Sequence, residues 1–349
     1  MRTDLVPAAE ALSIILEGAS PVETETVPLV QAHSRVLACD LAALRTQPPF
    51  PASAMDGYAL RGADAQTAPV TLAVIGEAAA GHPFSGKVGP GETVRIFTGA
   101  PVPDGADTVQ MQENASRDGD RATILKPVAT GHSVRPAGLD FKAGDVLLRQ
   151  GDLIDAQRLA LAASMNHAAL PVWRRPQIAL AATGDELRLP GEATGPGEII
   201  ASNTYGLAAI LREAGGEVRD LGILKDDPGV LDAAFQRAMR DGADVIVTTG
   251  GASVGDHDLV KPAFERLGAS FAFSKIAMRP GKPLIFGRIE NAGRTVWCLG
   301  IAGNPVSSLI AAHVFLRPLV AALGGRPAMH SSPADARLGC DLPENGDRE

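Results

Sequence analysis

After Pro176 the chain switches repeatedly between two hydrophobic periods, and that alternation restricts the fold more than any other feature. Apolar runs IALAA (178–182), VRDLGIL (218–224) and ADVIV (243–247) are separated by helix-spaced stretches, NTYGLAAILREAGG (203–216) and PGVLDAAFQRAMRDG (228–242). A further helical stretch LVKPAFERLG (259–268) is followed by strand-like FAFSKIA, LIFG and TVWCLG, then by the helical PVSSLIAAHVFLRPLVAAL (305–323). Such a pattern predicts a mostly parallel sheet covered by helices on both faces. Open sheets of this kind bind ligands beyond the carboxyl ends of their strands. The chemistry is therefore expected in the loops that leave those ends.

The loop after ADVIV reads TTGGASVGDHD (248–258). Gly250, Gly251 and Gly255 let the backbone approach a ligand closely, and N–H groups near a helix start favour anions such as phosphate. Thr248, Thr249 and Ser253 add hydroxyl donors. Asp256 and Asp258 repel a bare phosphate, so an anion fits here only with a hard cation such as Mg²⁺ between the charges. A plain glycine turn, with Asp258 capping the next helix, uses the same residues. The neighbouring loops bear on that choice: Thr183-Gly184-Asp185-Glu186, Lys225-Asp226-Asp227, and Gly303-Asn304-Pro305-Val306-Ser307. Asp227 before Pro228 reads as a helix cap. Glu186, Asp226 and Asp258 on one rim, beside glycine and hydroxyl donors, make a divalent-metal and phosphate site of the kind used in phosphoryl chemistry. In KIAMRPGKP (275–283), Lys275 reads as a solvated loop lysine, while Arg279 and Lys282 flank a Pro-Gly turn suited to an oxyanion.

Other classes are disfavoured. The net charge of −8 leaves no basic footprint for general nucleic-acid or membrane-surface binding. No GxGxxG follows a strand and no GxxxxGK[ST] occurs, so neither a Rossmann dinucleotide site nor a Walker A loop is supported. His257 has no identifiable nucleophile partner. Cys39, Cys298 and Cys340 are scattered, as in a reducing compartment. The N-terminal MRTDLVPAAEALSIILEGA is an amphipathic helix without signal-peptide features, and no stretch is expected to span a membrane. The expectation is a cytoplasmic protein.

With 349 residues the chain is longer than one ordinary domain. Prolines in RTQPPFPAS (45–53) mark a connector, and short β-type runs VTLAVIG, TVRIFTG, TVQMQE and ATILKPV follow it. LIDAQRLALAASMNHAAL (153–170) returns to helical spacing and is expected to pack on the N-terminal helix. The expected organisation is multidomain α/β and β: residues 1–45 with 140–175 form a discontinuous N-terminal domain, 46–139 a small β-rich domain inserted in it, and 176–325 the α/β domain. Residues 326–349 read as the start of a further β segment.

Taken together, PPFPASAMDGYAL (48–60), FTGAPVPDGADTVQMQE (97–113), TGDEL (183–187), TTGGASVGDHD, KIAMRPGKP and GNPVSS (303–308) resemble the bacterial molybdopterin molybdenumtransferase family, MoeA, with the gephyrin and plant Cnx1 E domains as relatives. The resemblance runs in order along nearly the whole chain. It implies an enzyme that takes adenylylated molybdopterin and molybdate, inserts the metal at the dithiolene and releases AMP with Mg²⁺ assisting. It also implies a homodimer with each cleft shared between the α/β domain of one subunit and the β domain of the other. On that resemblance Asp56 and Thr98 reach in from the partner subunit, and Glu186, Asp226 and Asp258 serve the nucleotide phosphate and Mg²⁺. Thr248, Gly250, Gly251, Ser253, Gly255, Asn304 and Pro305 line the pterin nucleotide site, and Arg279, Lys282, Ser307 and Lys275 face molybdate. A C-terminal β domain follows in that family, so 326–349 reads as a truncated one. Two departures stand out: Ala302 where the family has proline in PGNP, and Arg279 where it has lysine in KPGKP. Two other functions are weighed beside this one. A molybdopterin adenylyltransferase, itself a possible partner, would not need the N-terminal and β domains, and the acidic rim argues against a purely structural gephyrin-like scaffold.

Overall fold

Helix α1 (Ala8–Leu16) begins where Pro7 ends the extended lead-in, and buries Ala11 and Ile15, four residues apart on one face. The computed structural model describes residues 5–251, 259–291, 293–326 and 339. They divide into two compact units: the described residues of Met1–Cys39, Gln150–Asp155 and Ala169–Glu349 form one, and Asp40–Arg149 with Ala156–Ala168 the other. Strand β1 (Thr24–Pro28) belongs to the first unit.

The second unit is built on β2 (Gly57–Leu60), β3 (Val70–Ala78), β4 (Glu92–Ile96), β5 (Thr108–Met111), β6 (Ala115–Asp118) and β7 (Arg121–Ile124), in the sheet order β5-β2-β4-β3-β7-β6. Both faces are covered, because alternate residues supply different clusters: Tyr58 and Leu60 pack with Leu72 and Ile124, whereas Ala59 packs with Val94, Ile96 and Val109. Gly57 has no substitute here, since a Cβ would lie 1.9 Å from the Gln110 carbonyl oxygen on the adjacent strand. Helix α2 (Ala156–Ser164) completes this unit.

Helical spacing had extended α2 to residue 170. It ends earlier because Asn166 adopts a left-handed conformation (φ 75°), and the chain continues as β8 (Ala169–Trp173), antiparallel to β1. Helix α1 spends its buried face in the α/β core, and α2 belongs to the other unit.

The α/β core rests on β9 (Gln177–Thr183), α3 (Asn203–Glu213), β10 (Glu217–Leu224), α4 (Pro228–Arg240), β11 (Val245–Thr249), α5 (Val260–Arg266), β12 (Ser270–Lys275), β13 (Pro283–Asn291), β14 (Arg294–Ile301), α6 (Pro305–Ala311) and α7 (Arg317–Leu323). The sheet order is β10-β9-β11-β14-β13-β12. The first four strands are parallel, while β13 runs antiparallel to both β14 and β12. The sheet is thus mixed, because the β12–β13 and β13–β14 connections are too short for a parallel crossover. Ile178, Leu180, Val245 and Val247 face α1, α3 and α7, and the intervening Ala179, Ala181 and Ile246 face α4 and α5. Phe235 of α4 stacks on Phe264 of α5 at 4.6 Å between ring centroids. Burying one such ring contributes about 1.5–3 kcal/mol.

Helices α6 and α7 are joined by a π turn, Ala312–Leu316, just before Pro318, which has no N–H to give to the preceding turn. The resulting 19-residue helix holds an 18-residue stretch of mean hydropathy 1.7 and, against expectation, meets the length and composition of a membrane span. Its apolar character serves the core: 61% of that stretch is buried, including Phe315, Leu316 and Leu319.

Candidate active site

Strands β9, β11 and β14 are parallel neighbours, with Ala182 beside Thr249 and Thr249 beside Ile301, so their following loops leave the same edge of the sheet. There the α/β unit holds a cavity of about 200 Å³. Thr183, Glu186, Asn203, Gly250, Gly303 and Pro305 line its polar side, and Leu187, Ile199 and Ile200 an apolar wall. A flat ring with a charged tail suits such a lining.

Gly250 is required where it stands. Its φ is 91°, and a Cβ there would lie 2.3 Å from the Thr183 carbonyl oxygen. Beside it, Thr183 and Thr248 are buried, with 2% and 0% exposure, and their hydroxyls have no hydrogen-bond partner among the described residues. Leaving a buried hydroxyl unpaired costs about 1–3 kcal/mol.

Glu186 folds back so that a methyl at Gly184 would lie 2.4 Å from its Oε2, and its carboxylate borders the cavity. Asp226 lies on the exposed loop after β10, beside Asp185, whose Oδ1 accepts from the Asp226 N–H at 3.4 Å. Asp227 caps α4 as expected, accepting from the Val230 N–H at 2.9 Å. No group of three or more His, Cys, Asp or Glu side chains capable of holding a metal is found among the described residues. Ser253, Gly255 and Asp258 lie outside them, as do residues 327–338 and 340–349.

At the start of α6, Asn304 accepts from the Ser307 N–H at 3.1 Å, and Pro305 fills the first helical position. Ser307 is 7% exposed. The 275–283 segment closes through the Ile276 N–H, which donates to the Lys282 carbonyl at 3.0 Å. It lies beside α6, since a Cβ on Gly281 would sit 3.9 Å from the Ser307 carbonyl oxygen. Arg279 is exposed, Lys275 and Lys282 are half-buried, and none of the three lines the cavity.

In the β-rich unit, Asp56 Oδ1 accepts from both the N–H and the hydroxyl of Thr98, each at 2.8 Å. Those two donors hold the Asp56 carboxyl below the usual carboxylate range, with a smaller contribution from Arg95. Arg95 donates to the Gly57 carbonyl at 3.1 Å and to Gln112 Oε1 at 2.6 Å, and packs over the rings of Tyr58 and Phe97. Sequence reasoning missed Thr183, Asn203 and Arg95. Only Thr183, the first residue of the TGDEL motif, carried a local signal.

Residues 6–166 match the family described as "MoeA N-terminal region (domain I and II)", and residues 179–322 match "Probable molybdopterin binding domain". A β-rich unit joined to an α/β unit of that second family, with a glycine-walled cavity at its strand ends, defines a molybdopterin-handling protein. Molybdopterin molybdenumtransferases of Nostoc sp. and Haemophilus influenzae are 37% and 38% identical to it over 88% and 90% of this chain, and 71% and 76% of theirs. That of Bacillus subtilis is 33% identical over 97% of this chain and 80% of its own. Two solved structures of the molybdopterin biosynthesis MoeA protein of Pyrococcus horikoshii superpose with TM-scores of 0.79 and 0.77, at 32% and 31% identity. Each covers 93% of this chain, and 81% and 80% of the matched one. The chain belongs to the molybdopterin molybdenumtransferase family, MoeA, and is an enzyme of molybdenum cofactor biosynthesis.

Proposed function

We propose that this enzyme binds adenylylated molybdopterin in the cavity at the ends of β9, β11 and β14, transfers molybdenum from molybdate to the dithiolene, and releases AMP. The observation that carries this reading is the meeting of Thr183, Glu186 and the Gly250 backbone at one cavity. Glycine backbone accepts a phosphate without steric cost. The apolar wall of Leu187, Ile199 and Ile200 suits a heterocycle.

The oxygen donors Glu186 and Asp226 fit a hard cation such as Mg²⁺. When bound, Mg²⁺ would supply charge compensation for the nucleotide phosphate. Asp258 is the third carboxylate of this reading. Arg279 and Lys282, on the turn beside Ser307, would take the oxyanion; a forked guanidinium at position 279 favours paired oxygens over the point contact of a lysine. Asp56, held ionised by Thr98, would act from a second subunit of a homodimer, a reading supported by family resemblance. The cytoplasm suits a chain with scattered cysteines.

The test is molybdate-dependent AMP release from adenylylated molybdopterin, measured with and without Mg²⁺. The expected result is release that needs both ions. Absence of release with both present would overturn the reading.

A further inference from the structure

Asn203 is the first residue of α3, yet its side chain does not serve that helix. Its amide nitrogen lies 2.8 Å from the Gly303 carbonyl oxygen, 3.0 Å from Thr249 Oγ1 and 3.3 Å from Ser308 Oγ. A carbonyl oxygen only accepts, so the Gly303 contact determines which end of the amide faces these groups. Two protons are shared among three acceptors, and those acceptors lie on three segments: the end of β11, the loop after β14, and α6.

Two of these acceptors, Thr249 and Ser308, themselves donate to carbonyls of the loop after β14. Thr249 Oγ1 donates to the Ala302 carbonyl at 3.2 Å, and Ser308 Oγ reaches the carbonyls of Ala302 and Asn304 at 2.5 and 2.9 Å. The two loops approach through backbone: a Cβ on Gly303 would sit 3.5 Å from the Gly250 Cα, and the Gly250 N–H donates to the Ile301 carbonyl at 3.2 Å. Two glycines face each other across the cavity wall, and Ala302 lacks the stiff ring of a proline. The spacing of that wall therefore depends on hydrogen bonds, and Asn203 joins all three segments.

We propose that Asn203 is a positioning residue that ties the glycine loop after β11 to the loop after β14, holding the Gly250–Gly303 wall at the spacing the pterin nucleotide needs. This rests on the nucleotide site proposed above. Asn203 acts through Thr249, Gly303 and Ser308, so removing its donor loosens binding and leaves the reacting groups in place.

Two readouts test it on the full chain. In the first, hydrogen–deuterium exchange of the unliganded protein is compared for wild type, Asn203→Ala and Asn203→Asp. The aspartate keeps the shape but replaces the donor with an acceptor. Faster exchange at amides 249–251 and 302–304 in both variants, with core strands unchanged, is expected, and unchanged exchange at those amides would overturn the proposal. In the second, KM for adenylylated molybdopterin rises about tenfold in Asn203→Ala with kcat within about twofold, the size expected for one or two lost hydrogen bonds. Adding Thr249→Val to that variant raises KM little further, because the two residues share one network. A fall in kcat at unchanged KM would also overturn it. If the wild-type protein released no AMP, the functional reading would fail, and the exchange measurement would still decide the role of Asn203.

Discussion

Asp56 and Thr98 are bound through two hydrogen bonds to a single carboxylate oxygen, one from the threonine N–H and one from its hydroxyl, both 2.8 Å long. The residues are 42 apart in sequence, yet the strand pairing of β2 with β4 sets Gly57 opposite Ile96 and so brings the two ends together. The ionised form of Asp56 gains from both bonds, which is why its pKa lies below the ordinary value.

Thr98→Val removes the hydroxyl donor and keeps the N–H, so the Asp56 pKa should rise part of the way back toward its ordinary value. The pair contributes stability above the ordinary carboxylate pKa and loses it as pH falls through the depressed folded value, and the variant loses that contribution at a higher pH. Carboxyl-carbon NMR titration of Asp56 measures this; an unmoved titration would show that the hydroxyl plays no part.

If the proposed metal site holds, Glu186→Gln and Asp226→Asn should each cut AMP release by on the order of 100-fold or more while the chain stays folded, because each would remove metal charge compensation without opening the core. Steady-state rates at saturating Mg²⁺, together with circular dichroism, provide the check. Turnover within a few-fold of wild type would remove both residues from the site.

Gly250→Ala should destabilise the α/β unit by about 1–3 kcal/mol, since alanine is strained at φ 91° and its Cβ would meet the Thr183 carbonyl. Denaturant midpoints give the stability change, and AMP titration should show weakened binding. A neutral substitution would mean that the loop relaxes freely.

Asp244 is nearly buried and accepts from Arg174, from Arg294 at 2.8 Å and from the Gln177 N–H at 2.7 Å. Asp244→Ala leaves the Gln177 N–H at the start of β9 without its acceptor, while Arg174 and Arg294 keep Glu23, and should cost about 1–3 kcal/mol. Urea unfolding tests this, with Glu213→Ala, an exposed acid at the end of α3, as the comparison expected to change little.

Mixing Glu186→Ala chains with Asp56→Ala chains should restore part of the activity, because in a two-fold heterodimer one cleft would keep both residues. Verified heterodimers without rescue would refute the shared cleft.

Local pattern determined much of this protein. The alternation of periods after Pro176 marked the α/β sheet, Asp227-Pro228 marked the cap of α4, and the spaced motifs carried the family, because each depends on neighbours in sequence or on fixed residue order. Tertiary structure decided the rest. The antiparallel edge of β12 and β13 followed from short connections within a sheet whose order no local period encodes. The strand β8 arose where Asn166 turned the chain away from a helix and β1, far back in sequence, supplied a partner. Thr183 and Asn203 gained meaning only when β9, β11, β14 and α3 converged, since a shared cavity wall and an amide shared among three segments are properties of distance, and distance between remote residues is set by packing.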